Sequence, residues 1–471
     1  MLSRRRLSPP AVLVFVLVAS ISPSPAGAQM WLGGETVGPS GVLNGHSATS
    51  LALDGAENPC AAYYEGNDGD LKFAQHTGGT WSITTVDTTG DTGQYCALAI
   101  DALGEPHIAY YFKLNPNGTS ADHLKYAWRS GGTWNIDTVV AGDVAGFTDL
   151  VLDSSGNPHI TFFDGFSLSL KHAVKNGSWS VETVDSAGDV GQHASLVIDA
   201  SDDLHVAYQD ATNMGIRYAV KSGGSWATQN VAGFTTFPPF AFTAVHISLV
   251  LDSSGYAHIV FRDESSGKSQ YSRNTSGSWF TDIARSLGQD LRGSFHSLQM
   301  AAGDVPTMAF FDNNWQDVRL APFDGSWWVP KPIRPDGVST SLVLDSFGHA
   351  HVAYHVPTVS EVQYSFESDV LSDTGSGGWD TRVSLAVSPN PVVTATTLIL
   401  RTPMALRLGM EILDARGRLV RRLESRSHEP GFNYVTWDGR DNAGKAVGAG
   451  VYFAVSRPGN LFQPSKIVVV R

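Results

Sequence analysis

The chain has 471 residues, 42% of them hydrophobic and 16% charged, with 48 glycines and a formal net charge of −13. That length exceeds one ordinary core, and abundant glycine without long runs of helix formers suits an all-β protein of two or three domains. Residues 30–371 carry 16 Lys+Arg against 37 Asp+Glu, whereas residues 372–471 carry 13 against 8. So acidic a body excludes nucleic acid as its partner, because phosphate contacts need a positive field.

Residues 1–28 read as a signal peptide. Arg4, Arg5 and Arg6 form a positive segment, residues 11–19 are apolar, and Ala26-Gly27-Ala28 supplies a small-residue cleavage site. The apolar run is too short to span a bilayer, and no later segment reaches 18 apolar residues. The expected mature chain is secreted or held at the bacterial surface, with no transmembrane segment.

Seven tryptophans then recur: Trp31, Trp81, Trp134, Trp179, Trp226, Trp279 and Trp327, at gaps of 45 to 53 residues. This is the period of one four-stranded propeller blade. Each unit reads as four short strands. The first resembles SLVLD (Ser50, Ser195, Ser248, Ser341) and is followed by an Asp-x-x-Gly turn such as Asp153 to Gly156. The second resembles PHIAYY, the third LKYA, and a glycine-rich turn leads into a fourth strand holding the tryptophan. Trp31 precedes the first SLALD strand, while the last unit lacks a tryptophan strand. The N-terminal strand is therefore expected to complete that unit. The fold expected for residues 29–371 is a seven-bladed β-propeller closed by its N-terminal strand.

The motif SLVLDSSGxPHIxYxD followed by LKYAxxxGGxW, over residues 46–371, resembles secreted bacterial repeats grouped with sialidase-like or lectin-like propellers. That resemblance implies a glycan or a surface protein as partner, with a sialidase-like hydrolase or a ligand-free scaffold as alternatives. The sialidase Asp-box is absent: the corresponding turns read SGGTW at Ser130, SGGSW at Ser222 and TSGSW at Thr275. Nor is there an Arg-Ile-Pro segment, and arginines are few. The reading therefore favours binding over catalysis, and no catalytic residue is assigned.

Several residues are set aside as scaffold. His107, His159, His205, His258 and His351 share one place at the start of second strands, and seven-fold placement keeps them too far apart for one metal. They are expected to bond between blades or to turn backbone. Glu65, Asp164, Asp210, Asp263 and Asp312 are expected to cap the turn after the second strand. The run from Glu65 to Asp70 has enough oxygens for calcium but not the EF-hand spacing, so no cofactor is assigned. Cys60 and Cys96 fall at opposite ends of a blade, roughly 15 Å apart at about 3.3 Å per residue, and are expected to be free thiols.

Positions that break the repeat are the candidate ligand-binding residues. Tyr95, Phe147, His193, His246 and Phe295 lie near the starts of innermost strands, where they would rim a central channel. Phe237 lies in a Phe/Pro-rich insertion, residues 232–246, and Trp315 in a loop of the sixth blade. Aromatic faces stack on sugars while neighbouring polar groups read hydroxyls.

Residues 372–382 form a polar linker, and residues 383–471 read as a small Ig-like β-sandwich. Ser388-Pro389-Asn390-Pro391, EILDARGRLVRRL from Glu411, Trp437-Asp438-Gly439 and Gly450-Val451-Tyr452-Phe453 resemble the FlgD-type Ig-like module and the C-terminal sorting domains of exported bacterial proteins. The resemblance implies export or surface attachment through the bacterial secretion machinery. Arg416, Arg418, Arg421, Arg422 and Arg426 form either a basic docking face or a solvated strand face.

Overall fold

A computed structural model describes residues 30–41, 49–113, 122–142, 144, 146–233, 246–275, 277–286, 289–368, 384–388, 392, 396–402, 406–428, 431–457 and 465–470. The signal peptide, Phe237 and the linker lie outside these. The chain divides into two compact units, one spanning Trp31–Ser368 and one containing residues 384–470. No helix occurs among the described residues.

The first unit is a propeller-like array of four-stranded sheets. Sheet 1 takes Thr49–Leu53, Pro59–Glu65, Asp70–Thr77 and Thr80–Asp87, laid side by side in chain order and paired antiparallel. Sheets 2 to 6 repeat this within residues 91–141, 149–185, 190–233, 248–283 and 293–335. Sheet 7 takes Val338–Leu344, Ala350–Val356 and Glu361–Ser368, and its outer strand is Met30–Pro39 from the other end of the unit. The first strand of each sheet touches the first strand of the next, and that of sheet 7 touches that of sheet 1.

The Ser-Leu pair of the repeated motif makes these contacts specific. Leu98 N–H donates to Ser50 Oγ of the preceding sheet (3.0 Å), Leu249 to Ser195 (3.2 Å), Leu298 to Ser248 (2.9 Å) and Leu342 to Ser297 (2.9 Å). Leu51 N–H donates to Ser341 Oγ (3.0 Å), joining sheet 7 to sheet 1. Sheet 2 carries Ala97 at this place and has no hydroxyl to offer sheet 3. There Asp149 replaces the serine. Its carboxylate accepts from Leu196 of sheet 4 (2.7 Å) and also from its own neighbour Leu150 (2.9 Å), the N–H that Ala97 leaves unserved. Burial raises the Asp149 carboxyl to about 6, against the lowering effect of the two N–H donors.

Tryptophans join the sheets farther out. The third strand of one sheet presents a ring to a tryptophan of the next: Phe73 to Trp134 (centroids 5.5 Å), Tyr126 to Trp179 (5.2 Å) and Tyr218 to Trp279 (5.1 Å). Tyr364 of sheet 7 meets Trp81 of sheet 1 at 5.3 Å, edge to face. Trp31 packs with Val318 and Leu320 of sheet 6, so the N-terminal strand takes the same part as the other outer strands. One assignment is corrected: in sheet 6 the joining residue is Trp328, 2% exposed and 5.3 Å from Tyr271, while Trp327 is 37% exposed.

The turn aspartates act as the repeat suggests. Asp153 Oδ1 accepts from Ser155 N–H (2.9 Å) and Asn157 N–H (2.7 Å), and Gly156 sits at a positive φ of 80°. Cys60 and Cys96 are both free, and burial pushes each thiol up to about 12. They share one apolar cluster between sheets 1 and 2.

The second unit has a three-stranded sheet, Ser384–Ser388, Thr396–Thr402 and Gly431–Trp437. Its other sheet, four-stranded, orders Leu419–His428, Leu406–Asp414, Gly450–Arg457 and Ser465–Val469. Leu398, Leu400 and Trp437 of the first meet Leu408, Met410, Ile412, Ala454 and Ile467 of the second in one core. Arg418 pairs with Asp414 (2.7 Å), Arg422 with Glu411 (3.0 Å), and Arg421 donates to the Asp441 carbonyl (2.8 Å). Each of these three arginines has a partner inside the unit, and Arg418 and Arg422 stay exposed.

Two outcomes test these contacts. Trp328→Ala should cost about 3–5 kcal/mol in denaturant unfolding of the full chain, whereas Trp327→Ala should stay within about 0.5 kcal/mol. For Asp149, a folded-state pKa above the unfolded value means the folded form holds its proton more tightly. Its contribution to stability is therefore lost as pH rises from about 4 through 6. In Asp149→Ser that loss disappears, so thermal melts should move in the variant's favour over this window, by at most about 2–3 kcal/mol.

Candidate functional site

Four of the innermost strands open with a bulge. Pairing with the second strand shifts between Gln94 and Ala97, Gln192 and Ser195, Ser294 and Ser297, and Val338 and Ser341. Inside these bulges Tyr95, His193, Phe295 and Ser339 take positive φ of 51° to 56°. Phe147 (55°) and His246 (40°) hold the same place, two residues before the Asp or Ser that bonds the next sheet. Left-handed backbone at a bulky residue is uncommon, and bulges of this kind re-aim a side chain.

Five of these side chains form one continuous arc. Tyr95 and Phe147 stand 4.9 Å apart by ring centroid, Phe147 and His193 4.2 Å, His193 and His246 5.9 Å, and His246 and Phe295 4.1 Å. All five are half-buried, and the next position is Ser339, which carries no ring. Tyr95 is backed by Tyr111 (6.1 Å) and Phe147 by Phe163 (6.5 Å). Burial holds His246 well below the ordinary histidine value, so it sits in the arc as a neutral imidazole. The arc thus offers apolar ring faces with a neutral polar group set among them, and no net charge from His246.

The remaining two candidates do not join it. Trp315 is 70% exposed at the turn between the second and third strands of sheet 6, with the Arg319 guanidinium 5.1 Å from its ring centroid. Asp312 holds that turn by accepting from Asn314 N–H at 2.9 Å. Phe237 lies outside the described residues.

The acids after the second strands are turn caps. Glu65 accepts from Asn67 and Asp68 N–H (3.0 and 3.1 Å), Asp164 from Phe166 and Ser167 (both 3.0 Å), Asp210 from Asn213 (2.8 Å) and Asp263 from Ser265 (3.0 Å). In the acidic run after Glu65, Asp70 pairs with Lys72 at 2.7 Å. No cluster of three or more His, Cys, Asp or Glu suited to a metal occurs among the described residues.

The histidine series is scaffold, but its partners differ from those expected. Each bond stays inside one sheet and runs to side chains. His205 Nδ1 meets Tyr218 Oη at 2.5 Å and its Nε2 lies 3.5 Å from Asp199; His258 meets Tyr271 (2.6 Å) and Asp252 (3.3 Å). His107 and His351 do the same with Tyr126 and Tyr364, and His159 meets His172 at 3.0 Å. Each histidine thus links the turn aspartate to the third-strand ring that receives the next tryptophan. Burial keeps all five below the ordinary histidine value; His258 is hydrogen-bonded to its turn aspartate (3.3 Å), while the other four rings stand 3.5–3.6 Å from theirs.

The C-terminal unit has a recognisable relative. Residues 395–456 match the FlgD Ig-like domain. No curated protein matches the chain. Among solved structures, a protein of unknown function from Dyadobacter fermentans is 12% identical, with a TM-score of 0.42, covering 72% of this chain and 99% of its own. An α-L-arabinofuranosidase of Fusarium graminearum is 12% identical (TM-score 0.43; 70% and 94% covered). A sialidase from Streptococcus pneumoniae is 10% identical (TM-score 0.41; 71% and 70% covered).

The arc depends on close backbone approach at one glycine. Gly146 has φ +86°, and a Cβ there would lie 2.5 Å from the Tyr95 ring. Gly146→Ala should destabilise the first unit by about 1–3 kcal/mol and displace Tyr95. A melt, together with the aromatic proton shifts of Tyr95 and Phe147, checks both effects.

Proposed function

We propose that the seven sheets close into a seven-bladed propeller whose aromatic arc binds a glycan. In this reading the protein is exported, and its C-terminal Ig-like sandwich serves export or attachment at the bacterial surface. The observation that carries the reading is the unbroken run of rings from Tyr95 to Phe295, each held in strained backbone at a matching place. Packing alone would not require left-handed φ at six successive sheets. A half-buried, neutral aromatic surface beside hydroxyls and imidazoles suits the apolar face and hydroxyl edge of a pyranose. The cyclic contacts of the inner strands and the Ser341 to Leu51 bond support closure. The match to the FlgD Ig-like domain supports the role given to the C-terminal unit. The absent Asp-box and scarce arginines favour binding over sialidase-like hydrolysis.

A glycan-array screen of the full chain should return at least one ligand. Phe147→Ala and Phe295→Ala should each weaken it about tenfold, in line with 0.5–1.5 kcal/mol for a ring contact beyond its area. No bound glycan, or binding unchanged in both variants, overturns the proposal.

A further inference from the structure

We infer that the cleft on the outer wall between sheets 5 and 6 is a second binding site, for the carboxylate-bearing unit of an acidic saccharide. It stands on observations separate from the aromatic arc. The cleft has a volume of about 300 Å³, enough for a single sugar ring, and is lined by Arg273, Phe280, Asp282, Arg285 and Trp327 above a floor of Tyr271.

It exists because the repeat breaks on both sides of it. The fourth strand of sheet 5 stops at Ile283, and the chain then forms a separate short hairpin, Arg285–Ser286 with Gln289–Asp290. The outer strand of sheet 6 begins only at Lys331. Trp328 turns inward to join the sheets, and the preceding Trp327 is left facing out. Asp324 fixes that turn by accepting from Ser326 N–H at 2.8 Å and Trp327 N–H at 2.6 Å. The indole is therefore a preset shelf, opposite a Phe280 ring that is 57% exposed.

The charges select the ligand. Arg285 is already engaged, with Asp290 at 3.0 Å and Asp282 at 3.5 Å. Arg273 forms no ion pair with a carboxylate among the described residues; its guanidinium stands beside Tyr271 and 5.4 Å from the Phe280 ring centroid. In a body with 37 acidic and 16 basic residues, a half-buried arginine kept from carboxylates at an aromatic cleft is a ready partner for an anion. A planar guanidinium matches a carboxylate in two-point geometry. The exposed Asp282 carboxylate accepts only, which suits sugar hydroxyls, and the shelf takes the ring face. A uronate unit presents all three features at once.

The test is calorimetric titration of the full chain with trigalacturonate and with neutral cellotriose. Trigalacturonate should bind and cellotriose should bind at least tenfold more weakly. Arg273→Gln and Trp327→Ala should each weaken trigalacturonate tenfold or more, with melting curves superposing on wild type. Quenching of indole fluorescence by trigalacturonate should shrink in Trp327→Phe, a change that keeps an aromatic ring in place. Phe147→Ala, in the arc, should change nothing. The inference fails if trigalacturonate does not bind, if cellotriose binds equally, or if Arg273→Gln is without effect. Loss on Phe147→Ala instead would place the acidic sugar at the arc, overturning this site while supporting the other.

Discussion

The structure of the first unit rests on one backbone contact repeated from sheet to sheet. The leucine N–H near the start of the inner strand needs an acceptor, and in most sheets the serine of the neighbouring sheet supplies it. An inner strand has its second strand on one side and no strand on the other, so this N–H would otherwise be left unpaired. The site at Ala97 shows how firm the demand is. Without a hydroxyl there, Asp149 takes over the orphaned N–H and still reaches Leu196, at the expense of a carboxylate in a desolvated place.

That ring of contacts also creates the arc. In four sheets the inner strand carries a bulge just before the residue at the serine's place. The residue two places before the serine's position takes left-handed φ, and five such side chains meet ring to ring. Tyr95, Phe147, His193, His246 and Phe295 all occupy this place, so scaffold strain and candidate site come from the same local geometry. The outer wall differs. There tryptophans and third-strand rings fasten sheet to sheet, and a cleft opens where the pattern fails at Phe280 and Trp327.

Much of this was legible in the chain. The period of the tryptophans, the alternating strands and the Asp-x-x-Gly turns gave the sheets and their order, and Trp31 pointed to the strand that completes sheet 7. The five arc residues stand out in the chain as rings near the starts of innermost strands, whereas their ring-to-ring contacts come from the assembled sheets. Other features were out of reach. Two adjacent tryptophans look alike in sequence, and only the late start of the outer strand in sheet 6 turns Trp328 in and Trp327 out. The histidines' shared place is legible in the repeat, yet their partners lie 13 or 19 residues away on the third strand, a pairing set by register.

The sequence by itself determined the local structure: strand length, turn type and the burial of alternate residues follow from period, glycine placement and side-chain shape. What the tertiary structure decided is which groups meet across sheets. Ser50 and Leu98, or Asp137 and Trp179, are some 40 to 50 residues apart and share no local pattern. Their meeting depends on the angle between sheets, which packing of the whole array sets. The same reason explains the sites. A repeat can name residues that depart from it, but only the assembled sheets decide whether those residues face one another.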